Sequence, residues 1–395
     1  MKIKTADRLN VVSEYYFSRK LKEIAALREQ GVDIINLGIG SPDMAPDETV
    51  IEAVARESRK PENHAYQSYS GIPALREAYA KWYGDFFGVA LNPANEILPL
   101  MGSKEGIMHI SMAFLNPGDE VLVPNPGYLA YAAVARLLGA KVRYFDLTEE
   151  NQWYPDLDAL EKTDLSDVKI MWVNYPNMPT GTRATKELFE ALIAFGHRHN
   201  ILVVNDNPYS FILNEEQMSL LGIPGAKEIA LELNSLSKSH NMAGWRLGML
   251  AGHPEYIRAV LQVKSNMDSG MFKPLQLAAV KALEQPQSWY RELNEIYRER
   301  RKVAFGILDT LKCTFDKNQV GMFVWAKIPE ESPGSGQFSD TILKNSHVFL
   351  TPGFIFGPAG EHYVRLSLCT KKIRLLEAAS RIKEKINMKQ EVFSR

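Results

Sequence analysis

Short apolar runs alternate with longer amphipathic stretches between residues 51 and 285. The apolar runs are rich in Val, Ile and Leu, as in VKIMWV at 168–173 and ILVVN at 201–205. The stretches between them place apolar residues at helical spacing, as in KELFEALIAFGHRH at 186–199. Strands of this composition that alternate with helices are typical of βαβ units, whose sheet is covered by helices on both faces. The pattern predicts an α/β domain with a mostly parallel sheet.

The pattern changes on both sides of this region. Residues 1–50 hold one helical pattern, SEYYFSRKLKEIAALREQG, followed by a loop rich in glycine and proline. Beyond residue 285 a long helical segment, WYRELNEIYRERRKVAFGILDTL, precedes strand-like runs such as GMFVWAKI and EHYVRLSL. We predict an N-terminal arm that contributes to a small domain (1–50), a large domain (51–285) and a smaller C-terminal α+β domain (286–395).

The composition is that of an ordinary globular protein. Of 395 residues, 45% are hydrophobic and 24% charged, with a net charge of −1. There is no basic excess for nucleic acid, no apolar stretch long enough to span a membrane, and no apolar core behind the first lysines as in a signal peptide. The two cysteines, Cys313 and Cys369, lack CxxC spacing, which argues against a disulfide scaffold and a zinc site. We predict a cytoplasmic protein without bound metal.

Loops that follow strands are the candidate binding segments, because ligands of such sheets bind beyond the carboxyl ends of the strands. In LMGSKEG at 100–106, the pattern predicts that a strand ends in Gly102 and Ser103 and that a helix begins at Glu105. Such a helix start favours an anion such as phosphate, although an ordinary capped turn has the same pattern. It is not a Walker loop, since GxxxxGK[ST] does not occur in the chain. The other loops are VPNPGYLAY, NYPNMPTG, VVNDNPYS and SLSKSHNMAGWRLG.

Four residues in these loops suggest a shared chemistry. Asp206 ends an apolar strand, where a carboxylate is costly unless it meets a cation or a donor, and Tyr209 follows three residues later. Tyr128 follows a proline and glycine turn, and Lys238 has none of the acidic neighbours that a lysine on a solvated helix usually has. A lysine for a Schiff base, an acid for a ring nitrogen and an anion site are what pyridoxal phosphate requires.

The same segments resemble the class I aminotransferases, which are fold-type-I pyridoxal phosphate enzymes. SLSKSHNMAGWRLG fits their lysine motif at every position, and INLGIGSPD, YQSYSGIPALREA, GSKEG, PNPGY, PxxPTG, DNPY and YVRLSL complete the likeness over essentially the whole chain. GSKEGI and PGDEVLVPNPGYLAY look closest to the aspartate and LL-diaminopimelate aminotransferase subgroup. The resemblance implies transfer of an amino group between an L-amino acid and a 2-oxo acid, with 2-oxoglutarate and glutamate as one pair.

The resemblance also implies a role for individual residues. Lys238 would form the Schiff base and shuttle the substrate proton, Asp206 would pair with the pyridinium nitrogen, and Tyr209 would hydrogen-bond the phenolic oxygen of the ring. Tyr128 would stack on the ring, which adds about 0.5–1.5 kcal/mol beyond area burial. The residues implied to hold the phosphate are Ser103, Lys104 through its backbone, Ser235 and Arg246.

Three further residues concern the substrate and the oligomer. Arg365 would bind the substrate α-carboxylate with a bidentate fork that lysine cannot supply, and Gly40 would offer a backbone contact nearby. Tyr66 would reach the phosphate of the neighbouring subunit, which implies a homodimer with shared active sites.

One position departs from the family pattern. The asparagine that donates a hydrogen bond to the phenolic oxygen in PxNPTG is replaced by Met178. We expect that bond to be lost, and we count the nearby Asn174 among the cofactor-binding residues because its amide can take over the role.

Other functions are compatible with part of this pattern. A C–S lyase or decarboxylase uses the same lysine and acid, and the sequence does not separate these reactions from transamination. A pyridoxal-binding transcriptional regulator would need a DNA-binding module, for which the segment ahead of the domain shows no helix-turn-helix pattern. A non-enzymatic binding protein has Met178 as its one supporting residue. His197 and His199 lie two apart on a helical stretch, do not share a face and are interpreted as solvated.

Overall fold

The computed structural model of the protein describes residues 3–11 and 16–393. Its strands are β1 (Ile35–Asn36), β2 (Ile97–Leu100), β3 (Glu120–Asn125), β4 (Lys141–Asp146), β5 (Val168–Val173), β6 (Leu202–Asp206), β7 (Ala230–Ser235), β8 (Gly248–Gly252), β9 (Phe323–Lys327), β10 (Val348–Phe349), β11 (Thr351–Pro352) and β12 (Tyr363–Ser367). Its helices are α1 (Tyr16–Glu29), α2 (Glu48–Glu57), α3 (Pro73–Phe87), α4 (Ser103–Phe114), α5 (Leu129–Leu137), α6 (Leu157–Glu161), α7 (Lys186–His199), α8 (Leu236–Ser239), α9 (Pro254–Lys264), α10 (Lys273–Leu283), α11 (Gln287–Thr310), α12 (Ser335–Ser346) and α13 (Lys372–Phe393). None of these helices combines the length and the apolar content that a bilayer crossing needs.

Seven strands form the main sheet, in the order β2-β8-β7-β6-β5-β3-β4. The strands from β7 to β4 run parallel to one another, whereas β8 pairs antiparallel with both of its neighbours. All residues of β6 and β7 are buried, including the polar residues Asn205, Asp206, Glu232, Asn234 and Ser235. The predicted α/β fold with a mostly parallel sheet is confirmed.

Strand β8 was not predicted. Its sequence, GMLAG, has a glycine at each end, a composition that weakens the signal for a strand. Gly248 is required by packing, because a Cβ there would lie 3.0 Å from the backbone nitrogen of Ser103. The glycine thus allows the start of α4 to pack closely against β8.

A second core is built around β9, β11 and β12, which form an antiparallel sheet beside α11, α12 and α13. The N-terminal arm joins this part of the chain, because β1 pairs in parallel with β10 and places Ile35 opposite Val348. Helix α11 links the two cores: its Tyr290 packs in the core of the main sheet and its Tyr297 in the second core. The boundaries at residues 50 and 285 remain a prediction.

The two cores also meet at a close contact near Gly357. This glycine has φ 134°, and the side-chain oxygen of Asn125 occupies the space that a Cβ would take. The Asn125 oxygen accepts a hydrogen bond from the backbone of Ala359 at 3.2 Å, and the backbone N–H of Gly127 donates to the carbonyl of Phe356 at 2.8 Å. The contact fixes Phe356 next to the carboxyl end of β3 in the main sheet.

Candidate active site

A cavity of about 190 Å³ lies at the carboxyl ends of the parallel strands, and we call it the inner cavity. It is lined by Ser103, Lys104, Tyr128, Tyr131, Asn174, Met178, Asp206, Pro208, Tyr209, Ser235, Ser237, Lys238, Ala243 and Arg246. The structure therefore brings together all the predicted cofactor-binding residues except Tyr66.

A larger cavity of about 800 Å³ adjoins the inner one, and we call it the outer cavity. The two cavities share Lys104, Tyr128, Met178, Tyr209 and Lys238. Both predicted substrate-binding residues, Gly40 and Arg365, line the outer cavity. Its remaining lining is Phe17, Leu21, Lys22, Ala25, Ile39, Ser41, Leu129, Ala130, Phe323, Ile355 and Phe356.

Asp206 is a buried acid at the end of β6. Its Oδ2 accepts a hydrogen bond from the hydroxyl of Tyr131 at 3.0 Å, whereas its Oδ1 has no hydrogen-bond partner among the described residues. Burial raises the pKa of this carboxyl group to about 7. Because a buried charge is costly unless it is paired, the carboxylate needs a cationic donor from a group inside the cavity.

Tyr131 and Ser237 line the inner cavity and were not singled out in the sequence. The Tyr131 ring stacks on Trp172 at 4.8 Å, so that its hydroxyl is held against Asp206. Its signal was the spacing GYLAY, which places Tyr128 and Tyr131 one helical turn apart. Ser237 accepts a hydrogen bond from the Ser235 hydroxyl at 2.8 Å, and the repeated serine in SLSK was the sequence signal for it.

Lys238 lies on the short helix α8, directly after β7. Its Nζ donates a hydrogen bond to the carbonyl of Gly40 at 2.6 Å. Burial, together with the positive charges of Arg365 and Arg246, lowers the pKa of its ammonium group. A lysine in such surroundings supplies a neutral amine more readily than a surface lysine, and the neutral amine is the nucleophile that a Schiff base requires.

An anion site is formed where α4 begins. Gly102, with φ 85°, precedes Ser103, and the guanidinium of Arg246 fills the space that a Cβ on Gly102 would occupy. Arg246 is itself in a left-handed conformation and donates to the carbonyl of Ala243 at 2.9 Å. A helix start, a guanidinium and the Ser235 hydroxyl line one cavity, and this combination could hold a phosphate.

Asn174 and Met178 line the side of the inner cavity next to Tyr209. The Asn174 amide donates to the backbone carbonyl of Asp206 and accepts from the backbone N–H of Met178 at 2.9 Å. Both of its polar groups are therefore engaged with the backbone. Burial raises the pKa of the Tyr209 hydroxyl, which stays protonated and can donate a hydrogen bond.

Arg365 lies on β12 and is buried between two aromatic rings. Its guanidinium carbon is 3.9 Å from the ring centroid of Phe323 and 4.7 Å from that of Phe356. Its nitrogens donate to the Gly38 carbonyl at 2.9 Å and to the Met178 sulfur at 3.3 Å, and no carboxylate of the described residues pairs with it. Burial lowers its pKa to about 10, so the group stays charged at neutral pH. This buried cation requires an anion from outside the chain.

Tyr66 lies on the surface, 91% exposed, and does not line the inner cavity of its own chain. Tyr69, Met267 and Phe272 are also exposed, and the Phe272 ring lies 5.6 Å from that of His64. Apolar side chains from two separate loops therefore form one exposed surface near Tyr66.

A cluster of possible metal ligands lies behind the anion site. Glu105, His109 and Asp268 bring ligand atoms within 4.8 Å of one another. The fully buried ammonium of Lys264 binds Asp268 at 2.6 Å. This lysine already supplies a positive charge beside the cluster.

The sequence and the fold were compared with those of known proteins. The family "Aminotransferase class I and II" matches residues 32–382. The chain belongs to this family. A curated relative, the LL-diaminopimelate aminotransferase of Oleidesulfovibrio alaskensis, is 43% identical over 380 residues, which cover 95% of this chain and 98% of the relative.

Two solved structures have the fold of this aminotransferase. Substrate-bound BacF from Bacillus subtilis has a TM-score of 0.91 and 35% identity, and the match covers 97% of this chain and 98% of that chain. The aromatic aminotransferase of Pyrococcus horikoshii has a TM-score of 0.87 and 30% identity, with 97% and 99% covered.

These findings confirm the predicted fold type, family, cofactor and reaction. The protein is an aminotransferase that depends on pyridoxal phosphate and moves an amino group between an amino acid and a 2-oxo acid. The likeness to LL-diaminopimelate aminotransferases in the sequence is confirmed by the curated relatives. The lyase or decarboxylase alternative is not favoured.

Proposed function

We propose that this aminotransferase acts through Lys238, Asp206 and Arg365. Lys238 attaches the cofactor and carries the substrate proton, Asp206 holds the ring nitrogen protonated, and Arg365 binds the α-carboxylate of the substrate. One observation carries the proposal: Lys238 lines both cavities, and these contain a buried carboxylate oxygen and a buried guanidinium that lack an ionic partner in the described chain. The ring N–H of the cofactor would pair with the carboxylate oxygen of Asp206, and the α-carboxylate of the substrate would pair with the guanidinium of Arg365.

Pyridoxal phosphate fits the charges of the inner cavity. The unpartnered Oδ1 of Asp206 can accept the N–H of a pyridinium ring, and the anion site at Ser103, Ser235 and Arg246 can hold a phosphate. Tyr128 lies on the same lining and would cover the ring. When bound, the cofactor supplies a conjugated ring that accepts the electrons released at the substrate Cα.

The protein's own groups would control the proton. Burial favours the neutral form of the Lys238 amine, so its Nζ can take a proton from the substrate Cα and return it. The Gly40 carbonyl, 2.6 Å from Nζ, would hold that amine in position. Tyr209 would donate a hydrogen bond from its hydroxyl group to the phenolic oxygen. Met178 cannot share this role, because a thioether has no hydrogen-bond donor. Asn174 would support this loop, since its amide is bonded to the backbone.

The substrates are proposed to be an L-amino acid and 2-oxoglutarate. Three basic side chains other than Lys238 line the outer cavity, and no Asp or Glu is among the described residues of its lining. They are Lys22, Lys104 and Arg365. A positive lining favours anionic substrates such as the two carboxylates of 2-oxoglutarate.

We further propose a homodimer in the cytoplasm. The exposed surface around Tyr66, Tyr69, Met267 and Phe272 would lie between the subunits, and Tyr66 would reach the anion site of the partner. The cytoplasmic location is supported by two buried cysteines that form no disulfide.

Borohydride reduction should attach the cofactor irreversibly to Lys238. Peptide mapping after reduction is expected to find the label on the peptide that contains Lys238, because burial favours the neutral, nucleophilic form of its amine. Lys238→Ala should retain the cofactor without covalent attachment and lose turnover. Lys104→Ala removes another lysine of the same lining and should keep the label. A label on a different lysine contradicts the assignment.

The reaction itself is tested by the products. The enzyme is supplied with a panel of amino acids and 2-oxoglutarate, and glutamate, ammonia and pyruvate are measured. Glutamate is the expected product. Release of ammonia or pyruvate without glutamate would mean that the enzyme is a lyase instead.

Hybrid dimers should test the role of Tyr66. When Lys238→Ala is mixed with Tyr66→Ala, each hybrid dimer has one site with both residues intact, so activity should rise above that of either parent. Activity is measured after mass spectrometry has confirmed subunit exchange. Tyr144→Ala, a change at another exposed tyrosine, should be active without mixing. If exchange occurs and activity does not rise, Tyr66 does not serve the partner's site.

A further inference from the structure

We infer that the outer cavity receives a large apolar or aromatic side chain of the amino-acid substrate, so that this enzyme prefers donors of that class to diaminopimelate. The inference rests on the proposed function, because it takes Arg365 and Lys238 as the groups that bind the α-carboxylate and face Cα. It concerns the part of the cavity beyond these two residues.

One wall of the outer cavity is a face of α1. Phe17, Leu21 and Ala25 are spaced four residues apart, so they lie along one side of the helix, and all three line the cavity. Ile24 packs in a small buried core with Phe349. The helix thus turns one apolar face towards the cavity while Ile24, on a neighbouring face, packs in this small core.

The position of α1 is further held by Lys20. This lysine is almost fully buried, and its Nζ binds Asp340 of α12 at 2.9 Å and Glu23 at 2.6 Å. The Phe17 ring lies edge-on to Phe349, with 6.3 Å between the centroids. The wall is therefore a fixed part of the pocket, which a substrate side chain meets without first ordering a loop.

A second part of the lining is apolar as well. Ile355 and Phe356 are buried, and Leu129 begins helix α5 beside them on the lining. Phe356 also covers the guanidinium of Arg365, so the apolar wall begins directly at the carboxylate-binding group. A substrate held at Arg365 would have its side chain against these apolar residues.

This lining does not suit the far end of diaminopimelate, which carries a second ammonium and a second carboxylate. The carboxylate can meet Lys22, but the ammonium would find no Asp or Glu among the described lining residues. An unpaired ammonium among apolar side chains and lysines is strongly disfavoured. An apolar side chain has no such requirement and gains from leaving water.

The first test compares donors. Phenylalanine, leucine, alanine and LL-diaminopimelate are each mixed with the enzyme, and the change in the visible absorption of the cofactor is followed without an acceptor. We expect kcat/KM for phenylalanine or leucine to exceed that for LL-diaminopimelate by about tenfold or more. Calorimetry gives a second measure: 3-phenylpropionate should bind about tenfold more tightly than 6-aminohexanoate, whose distal ammonium meets no acid among the described lining residues.

The second test uses a matched pair of substitutions on α1. Ala25 and Ala26 are adjacent exposed alanines, and of the two only Ala25 lines the cavity. Ala25→Asp should lower kcat/KM for phenylalanine by about tenfold or more and leave that for alanine within about threefold, because a methyl group does not reach the wall. Ala26→Asp adds the same charge to the same helix and should change neither value.

The outcomes distinguish a failure of the inferred substrate class from a failure of the proposed aminotransferase function. If LL-diaminopimelate is the better donor of the wild-type enzyme, or if 6-aminohexanoate binds more tightly than 3-phenylpropionate, the inferred substrate class is wrong and the aminotransferase proposal stands. If Ala25→Asp and Ala26→Asp affect phenylalanine equally, the face of α1 does not contact the substrate. If no donor changes the absorption of the bound cofactor, the proposed function itself fails.

Discussion

Asp206→Asn is expected to lower kcat/KM by roughly 10²- to 10⁴-fold, which corresponds to about 3–5 kcal/mol. The amide has the same shape but no charge, so it cannot hold a proton on the ring nitrogen of the cofactor. The loss is measured by steady-state kinetics at saturating cofactor. Tyr131→Phe is the matched control: it removes the 3.0 Å hydrogen bond to the same carboxyl group and leaves the charge, and it should cost about tenfold. An Asn variant within tenfold of the wild type would contradict the role of Asp206.

The same substitution should alter how the stability of the cofactor-free protein depends on pH. The pKa of Asp206 is raised from 3.8 to about 7 in the folded protein. A raised pKa contributes stability that is fully present below the unfolded value and is lost as pH rises through the folded value. The free energy of unfolding should therefore fall by up to about 4 kcal/mol between pH 4 and pH 7 through this group.

Thermal unfolding of the cofactor-free protein across this range provides the measurement. Other groups titrate in both proteins, so the relevant quantity is the difference between the wild type and Asp206→Asn. In the variant this part of the pH dependence should be absent. Equal slopes would show that Asp206 is ionised in the folded protein without a cofactor.

Arg365→Lys is expected to lower kcat/KM roughly a hundredfold, which is a loss of about 3 kcal/mol in transition-state stabilisation. The reason is that a point charge cannot replace two parallel hydrogen bonds to a carboxylate. Lysine also cannot lie flat between Phe323 and Phe356 as the guanidinium does. The dissociation constant of 3-phenylpropionate should rise by a similar factor, which separates carboxylate binding from the chemical step.

Arg301→Lys is the matched control for this effect. Arg301 is half-buried and donates to the Gln319 backbone carbonyl at 2.8 Å, but it does not line either cavity. Its replacement should leave both the kinetics and the binding of 3-phenylpropionate within about threefold. If Arg365→Lys binds this carboxylate as tightly as the wild type, Arg365 is not the carboxylate site.

Much of the main sheet could be predicted because its strands are local apolar runs. VKIMWV and ILVVN correspond to β5 and β6, and the loops after the predicted strands do converge on one cavity. Strand β8 could not be predicted in this way, because its Gly248 serves a contact with Ser103, which lies far away in the sequence. Its antiparallel direction is set by pairing with β2 and β7, so no local sequence pattern predicts it.

The parts of the site that were not predicted depend on contacts between distant segments. The Tyr131 hydroxyl matters because the strand that ends at Asp206 comes beside α5, and the Asn174 amide is occupied because it meets the backbone of the same residue. The apolar walls of the outer cavity likewise come from α1 and from residues 355–356. Helical periodicity places Leu21 on the apolar face of α1. It does not show whether that face packs against the protein or against a substrate.

The absence of a side chain at Gly357 has a consequence for mutational tolerance. The position touches neither cavity, yet any Cβ would collide with the Asn125 carboxamide and, at φ 134°, would strain the backbone. The disturbance would pass to the adjoining Phe356, which is part of both the apolar wall and the cover of Arg365. In a library that exchanges every residue, Gly357 should therefore be as intolerant as the residues that meet the substrate.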